Sequence, residues 1–403
     1  MSDFSWRNFD LLNPTPEHKM IRETVREFVQ TEVEPQALEH DRQEKFNLPL
    51  FRKLGQLGLL GITVPEQYGG AGQDAVAAVI AHEEISASDP GFALAYLAHS
   101  MLFVNNLAVN GSEEQKIKYL PKVCSGEHVG CMAMSEPNVG TDVLGLETTA
   151  KIEGSEYVIN GQKMWITNGC LDDEGTAADL VWLYARTGDK DGKRQISTFL
   201  IEKGAPGYLV GQKIRDKTGM RASNTAELVF ANCRVPKSAL VGHEGESVHH
   251  MMRNLELERL TLAAMSLGIA RRSLEVMNRY ATERHAFGKP LTAFGQIQRH
   301  IAESFAEFRA CQTYVYETAR RMDLYSAGNR LDSDGAKLIT TTLAKNIADR
   351  AIQVLGGYGY VSEYVVERLW RDAKLLEIGG GTLEAHQKNI TRDLAKNPGV
   401  ILN

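Results

Sequence analysis

Hydrophobic and polar positions divide the chain into three stretches with different periodicities. From about residue 16 to 125, apolar residues recur at helical spacing. From about 130 to 240, short runs of branched and aromatic residues are bounded by turn residues, a pattern typical of β-strands. From about 244 onward, long helical patterns return. The pattern predicts a helical domain, a β domain and a second helical domain.

Local motifs mark helix boundaries in the first stretch. Thr15 is a candidate cap, and Pro16 follows it in the first helical turn. Ser112–Gln115 is a capping-box pattern that opens a short amphipathic helix, and we expect Pro121 to follow its end. Gly70–Ala75 fits a loose dinucleotide-binding fingerprint, but the repeated strand–helix units that such a site needs do not follow. We interpret it as a glycine turn entering a helix.

The middle stretch predicts a small antiparallel β domain, built as a barrel or a sandwich. The segment YVINGQKMWI surrounds Asn160-Gly161, a dipeptide typical of hairpin turns. Further strands are predicted for DLVWLYAR, ISTFLIEK and AELVFANCRVP.

The last stretch predicts an antiparallel four-helix bundle. Three helical segments of 25 residues or more are separated by breaks at Gly288–Pro290 and at Gly328-Asn329, and a shorter helix follows Thr382. Long helices with short connections favour this architecture. The fold class is therefore α+β, with domains at 1–128, 129–243 and 244–403.

Composition narrows the function classes. The chain has 403 residues and a net charge of −6, which argues against nucleic acid as the main partner. Its five cysteines are scattered without metal-binding spacing, which is typical of free thiols in a reducing compartment. We expect no membrane insertion, because no apolar run approaches the length of a membrane span. The opening MSDFSWRNFD does not look like a signal peptide, so we expect a cytoplasmic protein, or a matrix protein if a longer mitochondrial precursor is processed.

Two glutamates on a predicted helix are candidates for acid–base chemistry. Glu258 has Leu255 and Leu262 as its helical neighbours, so its carboxylate is expected to be partly buried, which raises a pKa and suits a base. A surface carboxylate is the alternative interpretation. Glu256 lies two positions earlier and points about 200° away, so both cannot face one pocket.

Two further segments have both an ordinary and a functional interpretation. Trp165 and Thr167, in MWITNG, are either a core aromatic beside a hairpin or a surface on which a flat cofactor ring packs. Arg284 is either a solvated charge or, near the break at Gly288–Pro290, a phosphate ligand. The histidines are mostly isolated and no GxSxG motif occurs, so we predict neither a metal site nor a serine hydrolase.

Taken together, these motifs resemble the acyl-CoA dehydrogenase family, and the resemblance runs nearly from end to end. Seven segments occur in the family's order: VPEQYGGAG, MSEPNVGTD, NGQKMWITNG, RASNT, ERHAFGKP, QVLGGYGY and WRDAKLLEIGGGT. The resemblance implies FAD bound between the β domain and the C-terminal bundle. It also implies a homotetramer built as a dimer of dimers.

The resemblance also implies roles for individual residues. The flavin would be lined by Met132, Ala133, Met134, Ser135, Thr141, Trp165, Ile166 and Thr167. FAD bound mainly by a neighbouring subunit would be contacted by Arg284, Phe287, Gln353, Gly356 and Gly357, and the pyrophosphate region by Thr382 and Glu384. The acyl-CoA would lie near Thr141, Glu256, Arg259, Gly379 and Gly381.

Two positions depart from the common pattern of the family. Many members carry Gln where this chain has Gly295, and Gln296 is the possible substitute. Most members place the catalytic Glu at the position of Gly380, whereas the isovaleryl-CoA and long-chain members carry it on a helix, in a segment similar to LELERL. Glu258 matches that second position, and Gly380 keeps the backbone N–H that in the family holds the thioester oxygen.

The implied activity is α,β-dehydrogenation of an acyl-CoA to trans-2-enoyl-CoA, with electrons passing to an electron-transfer flavoprotein. Gly379 and Gly380 favour a 3-methyl-branched, isovaleryl-like substrate, since they remove side chains near the reacting carbons. Long straight-chain, aryl and cyclic acyl groups are the alternatives. An oxygen-reacting flavin oxidase or monooxygenase, and a scaffold without catalysis, are the rival function classes.

Overall fold

A computed structural model describes residues 9–402 and shows helices, then a sheet, then helices. The first eight residues, which include most of the segment examined for a signal peptide, lie outside this range. The helices of the N-terminal region are α1 (Pro16–Phe28), α2 (Glu34–Gln43), α3 (Leu48–Gln56), α4 (Ala75–Ser86), α5 (Pro90–Leu97), α6 (Asn105–Asn110) and α7 (Glu113–Cys124). Short π-helical segments, Val29–Val33 and Ala98–Val104, connect α1 to α2 and α5 to α6.

The caps predicted at Thr15 and Ser112 are present, but the position predicted for Pro121 is wrong. Thr15 accepts a hydrogen bond from the backbone N–H of His18, and both hydrogen bonds of the capping box at Ser112 are formed. Pro121 does not follow α7 but lies within it. The helix continues for another turn because Val123 and Cys124 are buried in a hydrophobic cluster, and this packing outweighs the hydrogen bond that Pro removes.

The glycine turn before α4 has the ordinary role that the sequence indicates. Asp74 caps α4 by accepting a hydrogen bond from Ala77 N–H, and every residue of α4 is buried.

The expectation that no apolar segment reaches membrane-spanning length is wrong. The helical segment Pro90–Asn110 is long and apolar enough to cross a membrane, judged by length and hydropathy alone. Its most apolar window is 89% buried inside the protein, as in the core helix of a globular domain.

The central sheet is mostly antiparallel. Its strands are β1 (Gly130–Ala133), β2 (Thr149–Glu153), β3 (Glu156–Thr167), β4 (Leu180–Lys190), β5 (Lys193–Glu202), β6 (Tyr208–Lys213), β7 (Thr225–Pro236) and β8 (Leu240–Val241). The main order is β6-β7-β3-β2-β4-β5-β8, and β1 pairs with β4. The prediction of an antiparallel β domain is confirmed for the sheet as a whole, and the β1–β4 and β2–β4 pairings are the parallel exceptions among the described strands.

The hairpin predicted at Asn160-Gly161 is wrong, because β3 runs straight through this dipeptide. Gly161 instead follows a register irregularity against β7 and has a φ of +153°. A Cβ at this position would come within 2.4 Å of the Thr148 hydroxyl, so glycine is required by close approach. The actual turn between β2 and β3 contains Gly154, whose φ is +64°.

The C-terminal region is a helical bundle. A small hairpin of β9 (His285–Ala286) and β10 (Lys289–Pro290) follows its first helix. The helices are α8 (Ser247–Glu283), α9 (Gly295–Arg321), α10 (Arg330–Leu355), α11 (Gly357–Tyr360), α12 (Val366–Leu376) and α13 (Leu383–Lys396). The breaks that separate the three long helices and the cap at Thr382 are where the sequence predicts them. The main hydrophobic core contains residues of α4, α5, α8 and α10, so the two helical regions share one core.

Candidate active site

The carboxylate of Glu258 is buried in the middle of α8. The residue is only 7% exposed, and its Oε2 atom has no hydrogen-bond partner within residues 9–402. Burial raises the pKa of Glu258, and the positive charges of Arg259 and Lys337 act in the opposite direction. The prediction of a buried carboxylate is therefore confirmed, and the surface interpretation is wrong.

Gly380 lies directly against this carboxylate. It belongs to a glycine loop, Gly379–Gly381, that connects α12 to α13. A Cβ at position 380 would come within 3.2 Å of Glu258 Oε1 and 2.4 Å of Leu262 Cδ1. Gly380 also has a φ of +66°, which disfavours any side chain. The carboxylate of Glu258 thus occupies the space that a side chain at position 380 would enter.

The backbone N–H of Gly380 is available to a ligand. The N–H groups of Ile378 and Gly379 both donate to the carbonyl oxygen of Leu375. Among residues 9–402, no group accepts a hydrogen bond from Gly380 N–H. An unpaired donor on the residue that lies against this carboxylate can serve both halves of an enolisation: the carboxylate removes a proton and the N–H binds the developing oxyanion.

Several buried polar side chains contact the carbonyl groups of the glycine loop or contact one another. Of these residues, the sequence predicted a functional role only for Arg259. Arg259 donates to Gly380 O at 3.4 Å and pairs with Asp334 at 2.9 Å. Asp334 also contacts His386 Nδ1, and Lys337 contacts both His386 and Gly381 O. The available sequence indication was weak: a lysine beside apolar and threonine residues in GAKLITTTLAK.

Trp165 projects from the sheet because of a bulge in β3. The register between β3 and β7 shifts between Lys163 and Ile166, and Trp165 has a φ of +66°. Its side chain is 63% exposed, so the interpretation as a core aromatic is wrong. Ile166 is only 3% exposed and belongs to the sheet's core, which leaves only its backbone to reach a ligand.

The segment after β1 lies next to this bulge. Ser135 O accepts a hydrogen bond from Met164 N–H at 2.9 Å, which joins the two motifs that the resemblance assigns to the flavin. Met134 packs in the same cluster as Leu255, one turn before Glu258 on α8. Ala133 is fully buried in the sheet's core, so only its backbone can contact a ligand.

A buried ion pair, missed from sequence, holds this segment in place. The ammonium of Lys163 lies 2.8 Å from Glu136 and 2.9 Å from Met134 O. Burial lowers the pKa of Lys163 to about 8, and Glu136 opposes this change. Glu136 also accepts hydrogen bonds from the backbone N–H groups of Glu147 and Thr148. β3 and the ends of the segment 134–148 are thereby fixed to one another.

A separate group of predicted residues is exposed at one end of the bundle. Phe287 is 96% exposed in the turn of the small hairpin, with a φ of +51°. The ends of α8 and α10 meet through the cluster that contains Met277, Ala281 and Leu355. The other predicted residues of this end are exposed too: Arg284, Gln353, Gly356 and Gly357.

The remaining predicted positions have various surroundings. Thr141 and Glu384 are exposed, and Thr382 caps α13 by accepting from Ala385 N–H. Glu256 is buried and accepts hydrogen bonds from the N–H groups of Gly328 and Asn329 at the start of α10. Glu256 therefore holds a helix connection, and its predicted contact with acyl-CoA stays a prediction.

The chain matches family models along most of its length. Residues 15–127 match the N-terminal domain, 131–233 the middle domain and 248–395 the C-terminal domain of acyl-CoA dehydrogenases. The chain belongs to the acyl-CoA dehydrogenase family. It is accordingly a flavin-dependent oxidoreductase that acts on acyl-CoA.

Individual relatives agree with this assignment. The chain is 44% identical to "Isovaleryl-CoA dehydrogenase, mitochondrial" of Solanum tuberosum over 381 residues, which cover 94% of this chain and 90% of the relative. It is similar to the solved structure of butyryl-CoA dehydrogenase from Megasphaera elsdenii, with a TM-score of 0.90, 32% identity and coverage of 94% and 98%. A glutaryl-CoA dehydrogenase from Mycobacterium smegmatis in complex with FADH2 gives a TM-score of 0.88 at 31% identity, with coverage of 95% of both chains.

Proposed function

We propose that this acyl-CoA dehydrogenase binds FAD and oxidises a 3-methyl-branched acyl-CoA to its trans-2-enoyl-CoA, with Glu258 as the base. The observation that carries the proposal is the buried, unpartnered Oε2 of Glu258, whose carboxylate lies against Gly380 and its unpaired N–H. The proposed electron acceptor is an electron-transfer flavoprotein, and the proposed assembly is a homotetramer built as a dimer of dimers.

Several features of the chain fit FAD. Trp165 presents a large exposed aromatic face from a strained position, which is expected where a ligand covers it. Thr167 lies two residues further on the same strand, and the backbone of Met132–Ser135 borders the same bulge. When bound, FAD supplies the acceptor for the hydride that leaves the substrate's β-carbon. The group that would hold its ring consists of Met132, Ala133, Met134, Ser135, Thr141, Trp165, Ile166 and Thr167.

Glu258 is suited to remove the α-proton. Its burial raises its pKa, so the carboxylate is a stronger base than an exposed one. Within residues 9–402, no hydrogen bond has to break before its Oε2 atom accepts a proton. Glu377, three residues before Gly380, is the alternative candidate for the base. Its carboxylate is paired with Lys345 and Lys374, and these ion pairs make it a weaker base.

Gly380 contributes the donor for the thioester oxygen. As the proton leaves, negative charge develops on that oxygen, and a fixed N–H stabilises the charge more than it stabilises the neutral substrate. In this arrangement the loop provides the donor and the helix provides the base. Base and donor can lie on different elements because no side chain at position 380 enters the space that the Glu258 carboxylate occupies.

The preference for a branched substrate rests on the glycine loop and on the relative from Solanum tuberosum. A Cβ at Gly379 would meet only ordinary contacts with Leu375, so a side chain there is sterically possible and its absence leaves room for an acyl branch. The relative's name specifies isovaleryl-CoA at 44% identity. Together they favour a 3-methyl branch over a straight chain.

A panel of acyl-CoA thioesters with flavin bleaching as the readout tests the proposal. Isovaleryl-CoA should be oxidised faster than butyryl-CoA, and Gly379→Tyr should reduce the rate for isovaleryl-CoA more strongly because of overlap with the branch. Equal losses on both substrates would show that Gly379 does not provide the space for the acyl branch. A colourless protein, or one that consumes oxygen without another acceptor, would point to a scaffold or to an oxidase respectively.

A further inference from the structure

Two basic side chains hold the carbonyl groups of the glycine loop. Arg259, on α8, donates to Gly380 O at 3.4 Å, and Lys337, on α10, donates to Gly381 O at 2.5 Å. Three consecutive glycines have unusual backbone freedom and no side chains to anchor them. The direction of the Gly380 N–H therefore depends on these contacts to the neighbouring peptide groups.

Lys337 is itself held by a second pair of residues. Its ammonium lies 3.0 Å from His386 Nε2, and His386 Nδ1 lies 2.7 Å from Asp334 Oδ1. His386 Nε2 also lies 3.0 Å from Gly381 O. With the ring proton on Nδ1 and donated to Asp334, Nε2 and Gly381 O both accept from the Lys337 ammonium, which lies between them. Lys337, Asp334 and His386 are all fully buried or nearly so, and the arrangement is therefore rigid.

Lys337 also influences the base. Burial lowers the pKa of Lys337 to about 7, and the negative charge of Glu258 is the strongest influence in the other direction. The other charges that face it are Arg259, Asp334 and Glu377. Burying an ammonium group costs free energy, so a lysine at this position is expected to have a role that an apolar residue would not fill.

We propose that Lys337 is a positioning residue for the reaction: held by the Asp334–His386 pair, it fixes the glycine loop so that Gly380 N–H meets the developing oxyanion. The inference rests on the proposed function, because it assigns a support to the same donor. Lys337 acts through Gly380 and Glu258 and does not itself touch the reacting atoms. It is thus the part of the site that compensates for the flexibility of the glycine loop.

The test uses Lys337→Met in the FAD-loaded enzyme with a 3-thiaacyl-CoA as the probe. Sulfur at position 3 carries no hydrogen, so the chemistry stops after the α-proton is removed, and the enolate gives a long-wavelength absorbance beside the flavin. The variant should raise the pH midpoint of this ionisation by about one unit, a tenfold loss of enolate stabilisation. With a normal substrate, kcat should fall roughly 10- to 100-fold while KM changes less than about threefold.

Two further variants separate positioning from general stability. Lys345→Met removes another lysine of α10, and Glu377 keeps Lys374 as a partner, so the ionisation midpoint should stay unchanged. His386→Phe keeps a ring and removes the nitrogen that contacts both Lys337 and Gly381 O, so the midpoint should rise. The rise should be smaller than in Lys337→Met because Lys337 still reaches Gly381 O. If Lys337→Met does not fold, His386→Phe decides the question.

Each outcome has a distinct meaning. Failure of the wild-type enzyme to ionise the probe and to oxidise any acyl-CoA would overturn the proposed function itself. A normal wild-type response with an unchanged midpoint in Lys337→Met would overturn only the positioning role. Lower thermal stability or FAD content without a change of midpoint in the remaining holoenzyme would also overturn it, since that is the behaviour of a structural lysine.

Discussion

The fold keeps the carboxylate of Glu258, the proposed base, out of water. Glu258 has one oxygen against Gly380 and another without a partner, and its burial raises its pKa. The sequence could place Glu258 on an apolar stripe and, through the family motifs, relate it to Gly380. It could not show the contact itself, because the residues are 122 positions apart and meet only through tertiary packing.

The raised pKa predicts how stability depends on pH. The folded protein keeps the Glu258 proton to a higher pH than the unfolded chain, so the residue's stabilising contribution is complete below the unfolded pKa of about 4.3 and is lost as pH rises through the folded pKa. Glu258→Gln stays neutral, and its Tm should therefore exceed that of the wild type at pH 8. The difference should shrink toward pH 5.

Differential scanning calorimetry across this pH range is the measurement. Glu174→Gln, at an exposed position, serves as the control and should show no pH-dependent difference in Tm. A Tm difference for Glu258→Gln that grows toward low pH would contradict a raised pKa of Glu258 in the folded protein.

The same geometry predicts the result of moving the base to position 380. In Glu258→Gly/Gly380→Glu the new carboxylate should restore little activity, because Leu262 lies 2.4 Å from its Cβ and the φ of +66° costs a non-glycine residue about 1–2 kcal/mol. Adding Leu262→Ala should raise turnover at least about tenfold. Glu258→Gly/Leu262→Ala, without the new carboxylate, is the control, and a triple variant no faster than it would show that the two positions do not reach the same carbon.

At the level of elements, a bulge and a buried ion pair place the motifs of the β domain. The Asn160-Gly161 dipeptide is typical of a hairpin, yet β3 continues through it because pairing with β2 and β7 on both sides outweighs the local preference. Single-strand patterns do not reveal such pairing. The buried Lys163–Glu136 pair escaped prediction for the same reason, since its partners belong to different segments.

A double-mutant cycle on this pair should reveal strong coupling. Lys163→Met leaves the buried Glu136 without its cation and should destabilise the protein by about 3–5 kcal/mol. Adding Glu136→Gln should recover at least about 1 kcal/mol, because the unpaired charge is removed. Lys151→Met, at an exposed position of β2, should change stability by less than about 0.5 kcal/mol. If the free energies of unfolding of Lys163→Met and Glu136→Gln changed additively in the double variant, the coupling would be refuted. The FAD content of Lys163→Met should fall together with its stability.

At the scale of the whole molecule, the three-region order was predictable because the periodicity of hydrophobic positions changes twice along the chain. How these regions pack was not, since α8 buries apolar residues on nearly all sides through its middle section and its partners cannot be read from one face. One end of the bundle leaves Phe287 and Arg284 exposed. We propose that it contacts FAD bound mainly by a neighbouring subunit.

Mixed oligomers test this sharing of the cofactor. Arg284→Glu and Trp165→Asp should each lower FAD content, because each would damage one side of every site. After the two variants are dissociated, mixed and reassociated, FAD binding should return in part, since a mixed dimer contains one site with both sides intact. Flavin absorbance across a sedimentation profile measures this. No recovery, or full FAD occupancy in a separated monomer, would contradict shared sites.

Turnover of Glu258→Gln with isovaleryl-CoA tests the proposed role of Glu258 as the base. Gln keeps the size of the side chain and removes its basicity, so the purified protein should retain its FAD while kcat falls by roughly 10² to 10⁴. Glu377→Gln is the matched comparison and should retain most of the activity, because Lys345 and Lys374 already engage that carboxylate. A Glu258→Gln enzyme that oxidises isovaleryl-CoA and long-chain substrates at the normal rate would contradict this role and would point to Glu377 or Glu384 as the base.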